Sequence, residues 1–187
     1  MRTLGANDAL QVAEVFGTDP DLLAMVPQPV HAVLLLYPLS DASEALRASQ
    51  ADELRAAQGA PADASGDDGE FVPKDSGLYW MKQIISNACG TIGLVHAVAN
   101  VPEAFSPVPG SFFASFLAET AALTPMQRAL ALEDNDKIEE EHQALAAEAG
   151  SDAAHAVNDN LHFVAMVCKN GRLYELDGRK VGYVITF

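Results

Sequence analysis

The dipeptide Asn170-Gly171 constrains this chain more than any other feature. It separates two apolar runs, "LHFVAMVCK" and "RLYEL". An Asn-Gly pair takes up the positive φ angles of a two-residue turn at low steric cost, so it predicts an antiparallel hairpin whose register follows from the turn alone. Lys169 then pairs with Arg172, and counting outward along both strands sets Asp177 opposite Val164. Asp177 thereby shares a face with His162 and lies diagonal to it, at roughly 7–8 Å between Cα atoms, within reach of a carboxylate–imidazole contact. Other readings stand beside this one. Asp177-Gly178 is also an ordinary turn pair, Glu175 falls on the same face, and a one-residue slip separates the set.

An imidazole oriented by a carboxylate is the second half of a thiol catalytic set. The chain has two cysteines. Cys89 lies in "MKQIISNACGTIGLVHAVAN", where Ser86, Asn87 and Ala88 precede an almost wholly apolar segment. That pattern predicts a buried helix with Cys89 at its positive end, where the dipole lowers a thiol pKa from its usual value of about 8.5. A buried, inert cysteine is the alternative. His96 is the nearest histidine in sequence, but seven residues along a helix is a rise of roughly 10 Å, beyond hydrogen-bond reach. His96 reads as a core or boundary histidine, His142 as part of a solvated acidic face, and His155 as a loop residue. His31 opens an apolar strand and stays open on local grounds. Gln83, six positions before Cys89, is a candidate oxyanion donor, with a bond to nearby backbone as the alternative. Cys168 reads as core packing, and a Cys89–Cys168 disulfide is disfavoured in a reducing compartment.

The other elements follow from caps and periodicity. Asp8–Gly17 and Asp19–Val26 read as short helical or extended pieces. "VHAVLLLYPLS" shows no alternation and is expected as a strand buried on both faces. "DASEALRASQADELRAAQ" reads as a helix capped by Asp41 with Glu44 behind it. Ser111–Leu123 reads as a helix, and Thr124, Pro125 and Gln127 start another. "NDKIEEEHQALAAEAG" reads as an acidic helix. Residues 59–70 form an acidic, Gly/Pro-rich stretch expected to be a flexible loop. No internal repeat is visible. Helices first and antiparallel strands last predict an α+β fold in one domain over residues 1–187.

Eleven basic against 26 acidic residues give a net charge of −15. That balance argues against nucleic acid and anionic membranes and favours a basic partner. No signal peptide opens the chain and no apolar run is long enough to span a bilayer, so a cytoplasmic protein is expected.

"MKQIISNACGTIGLVHAVAN" together with "LHFVAMVCKNGRLYELDGR" strongly resembles the ubiquitin carboxyl-terminal hydrolases, a family of papain-like cysteine proteases. Weaker similarity extends from about residue 10 to about residue 180. The resemblance implies a central antiparallel sheet flanked by helices in a knotted chain. It implies Cys89 as nucleophile, His162 as general base and later acid, Asp177 as orienting residue and Gln83 as oxyanion donor. The expected partner is ubiquitin, or a ubiquitin-like protein ending in Gly-Gly, from which a small adduct is removed. No cofactor and no metal are required, and a monomer is expected. Residues 149–160 correspond to the family's crossover loop, which limits the leaving group. The family's usual first segment and last strand are expected to be missing, so an inactive, ubiquitin-binding form is the alternative to an active deubiquitinating enzyme.

Overall fold

The computed structural model describes residues 5, 10–57, 77–102, 104–135, 160–182 and 184–185. These run as α1 (Pro20–Leu23), β1 (Ala32–Pro38), α2 (Asp41–Ala57), α3 (Cys89–Ala99), α4 (Phe112–Thr120), α5 (Pro125–Glu133), β2 (Leu161–Lys169), β3 (Arg172–Leu176) and β4 (Val184–Ile185). The strands form one antiparallel sheet in the order β1-β2-β3-β4. Helix α3 packs on it, as an α+β fold requires.

The hairpin has the register its turn predicts: Lys169 pairs with Arg172 and Ala165 with Leu176. Asn170 and Gly171 have φ of 53° and 75°, the two positive values of the hairpin turn. Strand β1 departs from expectation. Val33, Leu35 and Leu36 are 43%, 47% and 43% exposed. The strand ends the sheet among the described residues: Ala32 and Leu34 pack against the core, Val33 and Leu35 on the other face stay open, and Leu36, on the packed face, is exposed too. An apolar run without alternation cannot report how many neighbours a strand has.

Helix α3 is the centre of the packing. Its residues Ile92, Val95 and Val98 join Phe112, Phe113 and Phe116 of α4 and Leu132 of α5 in one core cluster. Ala97 joins a second cluster with Trp80 and the sheet residues Ala165, Val167 and Leu176. A helix apolar on all sides has to be enclosed on all sides, and two clusters do so.

Ser111 caps α4, accepting from the Ala114 N–H at 3.3 Å. Thr124 and Gln127 exchange both bonds of a capping box at the start of α5. At α2 the cap is Ser40, not Asp41: the Ser40 hydroxyl accepts from Ser43 N at 3.2 Å, and the Ser43 hydroxyl accepts from Ser40 N at 2.9 Å. Two adjacent residues could cap here, and the choice of Ser40 leaves Glu44 free to pair with Arg47 and Arg179. Between Asp19 and Val26 only the one-turn helix α1 forms, and residues 10–17 are irregular. The acidic loop 59–70, the acidic helix beyond Asn135 and residues 149–159 lie outside the described residues. No helix among the described residues is long and apolar enough to cross a membrane.

Candidate active site

His162 is the second residue of β2 and pairs directly with Tyr37 of β1. Its Nε2–H donates to Asp177 Oδ1 at 2.7 Å, and both side chains are buried. Asp177 follows the last residue of β3, where the chain leaves the sheet and can turn its carboxylate back. Arg179 N also donates to that Oδ1 at 2.8 Å. Asp177 is fixed from its backbone side too, since the Trp80 indole N–H donates to its carbonyl at 3.1 Å. With Nε2 committed to the carboxylate, Nδ1 is the ring nitrogen left to serve the Cys89 thiol, whose pKa the imidazole lowers.

Cys89 is the first residue of α3, and the capping position, Ala88, offers no side-chain acceptor to the first-turn N–H groups. Those groups and the dipole face the sulfur, which favours the thiolate. Asn87, with φ of 61°, makes the left-handed step that swings the chain into the helix, a conformation asparagine tolerates better than most residues. Chemistry and electrostatics agree. The hydrogen bond from His162 holds the Cys89 thiol below its ordinary pKa, although burial opposes it. Burial alone would depress the His162 pKa, but the bonds to Asp177 and Cys89 outweigh it and raise the imidazole to about 9. Burial likewise pushes Asp177 upward, and the His162 contact more than reverses that. Both shifts favour a thiolate beside an imidazolium over the neutral pair, with the imidazolium itself held by a carboxylate.

Gln83 lies beside this group. Its backbone N–H donates to the Gly178 carbonyl at 2.8 Å, one residue past Asp177. Its side-chain Nε2 donates to Ile85 O at 3.3 Å, and its buried Oε1 has no hydrogen-bond partner among the described residues. Position 178 has no room for a side chain: a Cβ there would sit 2.9 Å from Gln83 Cβ and 3.1 Å from Gln83 N.

Among the described residues, the other histidines and the second cysteine stand apart from the group. His96 is fully buried and its Nε2 accepts from Met81 N at 3.0 Å, a core histidine as read from the sequence, but its Nδ1 has no hydrogen-bond partner among the described residues. His31 precedes β1, six residues before Tyr37, roughly 20 Å along a strand. It lines a cavity of about 380 Å³ with Leu10, Val30 and Cys168. Cys168 is exposed, which corrects the expectation of core packing, because it lies near the hairpin end of β2 where covering elements run out. Cys89 and Cys168 are both free thiols.

Sequence reasoning missed three contributors. Tyr37 stands edge-on to the His162 ring at 5.7 Å between centroids. Trp80 and Arg179 hold Asp177 as described. The β1–β2 register would have found Tyr37, but no turn joins those strands and so no local signal sets it.

The description "Ubiquitin carboxyl-terminal hydrolase, family 1" belongs to the family model that matches residues 1–186. Ubiquitin carboxyl-terminal hydrolase 3 of Arabidopsis thaliana is 42% identical over 177 residues, which are 95% of this chain and 68% of that protein. A ubiquitin carboxyl-terminal hydrolase of Drosophila melanogaster is 39% identical over 177 residues, 95% of this chain and 71% of that protein. Among solved structures, the catalytic domain of Trichinella spiralis UCH37 bound to ubiquitin vinyl methyl ester shares the fold with a TM-score of 0.52 at 21% identity. The match covers 86% of this chain and 61% of that one.

Proposed function

Because this chain belongs to ubiquitin carboxyl-terminal hydrolase family 1, we propose that it is a thiol hydrolase that removes small adducts from the C-terminal glycine of ubiquitin. The observation that carries the reading is the buried His162–Asp177 pair, 2.7 Å apart, whose imidazole lowers the pKa of the Cys89 thiol at the start of α3. The Cys89 thiolate attacks the carbonyl carbon after the Gly-Gly end, and the carbonyl π electrons move onto oxygen. Gln83 Nε2 and the Cys89 backbone N–H stabilise that oxyanion; the long 3.3 Å bond to Ile85 O is a weak tether that a charged oxygen displaces. Protonated His162 gives its proton to the departing group as the C–N or C–O bond breaks and a thioester forms. Neutral His162 then takes a proton from water, which attacks the thioester and releases the ubiquitin carboxylate and the thiolate. Asp177 keeps the ring in the productive orientation throughout.

Ubiquitin as the partner is supported by the ubiquitin vinyl methyl ester bound to the Trichinella spiralis protein and by the net charge of −15, which favours a basic surface. Residues 149–160 run up to Leu161, immediately before His162, and that adjacency supports the crossover-loop assignment.

Incubation with ubiquitin vinyl methyl ester, followed by intact-mass analysis, tests the reading. One adduct on the wild type and none on Cys89→Ala is the expected result. An adduct on Cys89→Ala moves the nucleophile elsewhere. A soluble wild type that stays unmodified, or that reacts only with a ubiquitin-like analogue, overturns the activity or the choice of substrate.

A further inference from the structure

The stretch 78–83 is extended, but several of its backbone groups bond to side chains instead of a neighbouring strand. Tyr79 N donates to Asn100 Oδ1 at 2.8 Å, and Asn100 Nδ2 returns a bond to Tyr79 O at 2.8 Å. Met81 N donates to His96 Nε2 at 3.0 Å, while Arg128 Nη1 donates to Trp80 O at 2.7 Å. Asn100 Nδ2 is also bonded to the His96 carbonyl at 2.8 Å, which ties the two anchors together. Tyr79 meets residue 100 and Met81 meets residue 96, so the stretch runs antiparallel to α3 and advances toward the end that carries Cys89.

We propose that His96 is a positioning residue for Gln83: through the Met81 N–H it fixes, on the same helix that carries Cys89, the segment that ends two residues later in the oxyanion donor. The inference rests on the reading of Gln83 given above. Helix α3 thereby acts as a gauge between nucleophile and donor. The chemistry of the anchor is specific. Met81 is wholly buried, so its N–H needs an acceptor where water does not reach. A neutral imidazole provides a lone pair there, and burial keeps His96 neutral by lowering its pKa to about 4. An apolar side chain would fill the same space and leave the N–H orphaned. The segment would then shift to find a partner and carry Gln83 with it. A displacement of about 1 Å at a reacting group is enough to cost rate.

The test is a double-mutant cycle on a ubiquitin C-terminal aminocoumarin amide, with Cys89 alkylation by iodoacetamide at pH 6 as a parallel readout. Gln83→Ala is expected to lower kcat about 100-fold. His96→Leu and His96→Phe, which differ in shape and both lack an acceptor, should each lower kcat at least about tenfold with little change in KM. Both should keep the wild-type alkylation rate, because the thiolate–imidazolium pair does not pass through Gln83. His96→Leu added to Gln83→Ala should cost nothing further, and His96→Gln, whose Oε1 can accept the same bond, should recover most of the rate. Full additivity, an equal loss of alkylation, or no recovery with glutamine would reduce His96 to ordinary core filling. Wild-type kcat in Gln83→Ala overturns the reading of Gln83 itself, whatever His96 does.

Discussion

Helix α3 and strand β1 are both nearly unbroken apolar sequence, yet they have opposite fates. Ile92, Val95 and Val98 of α3 are 2%, 0% and 3% exposed, whereas Val33, Leu35 and Leu36 of β1 are 43%, 47% and 43% exposed. Hydrophobicity states what a residue gains from burial. How many surfaces arrive to bury it is a matter of topology. Two core clusters close around α3, while among the described residues β1 has one strand beside it and packs only Ala32 and Leu34 against the core. The candidate site draws on both regions, but unequally. Cys89 and the anchors of the Gln83 segment come from α3, and β1 supplies Tyr37 at the edge of the His162 ring.

Three perturbations probe that contrast, in falling order of effect. Trp80→Ala should destabilise the protein by about 3–5 kcal/mol, because the indole is fully buried between α3 and the sheet and also bonds to the Asp177 carbonyl. Urea denaturation measures it, and a cost under about 1 kcal/mol would mean that this side is no better packed than β1.

Acid is the second. His96 has a folded pKa of about 4 against an ordinary 6.5, so on acidification the unfolded chain binds the proton first. Stability should fall as pH drops from about 6.5 to about 4, by something on the order of 3 kcal/mol. His162 has the opposite sign: with its folded pKa near 9, its contribution is complete below 6.5 and is lost as pH rises through 9. Denaturation midpoints of wild type and His96→Gln at pH 7 and pH 4.5 separate the two, and an unchanged acid loss in His96→Gln would assign it to other groups.

The smallest effect is expected at β1. Leu35→Thr keeps strand propensity on an open face and should change stability by no more than about 0.5 kcal/mol. A cost above about 2 kcal/mol would show that the outer face of β1 is covered in solution.

What could be read in advance was local. The Asn170-Gly171 turn carries its own register, so the pairing of β2 with β3 follows from counting; the approach of Asp177 to His162 was one of several readings that counting left open, because Asp177 stands just past the last residue of β3. The Thr124–Gln127 box needed four neighbouring residues. Asp41 reads as the cap of α2 from its neighbours, whereas Ser40 takes that place and Glu44 pairs with Arg179, 135 residues away. The bonds from His96, Asn100 and Arg128 to the 79–81 backbone span 15, 21 and 48 residues, and nothing in a sequence window encodes such distances. The exposure of β1 and of Cys168 was hidden for the same reason, since both depend on where the sheet stops.

Glycine at position 178 has a hereditary consequence. Its φ lies outside the left-handed range, so the backbone itself would accept other residues; the obstacle is the Gln83 main chain 3.1 Å from where a first side-chain carbon would stand. Every missense change of a glycine codon adds that carbon. Selection at this codon is therefore expected to act on clearance between two chain segments and not on any chemical group.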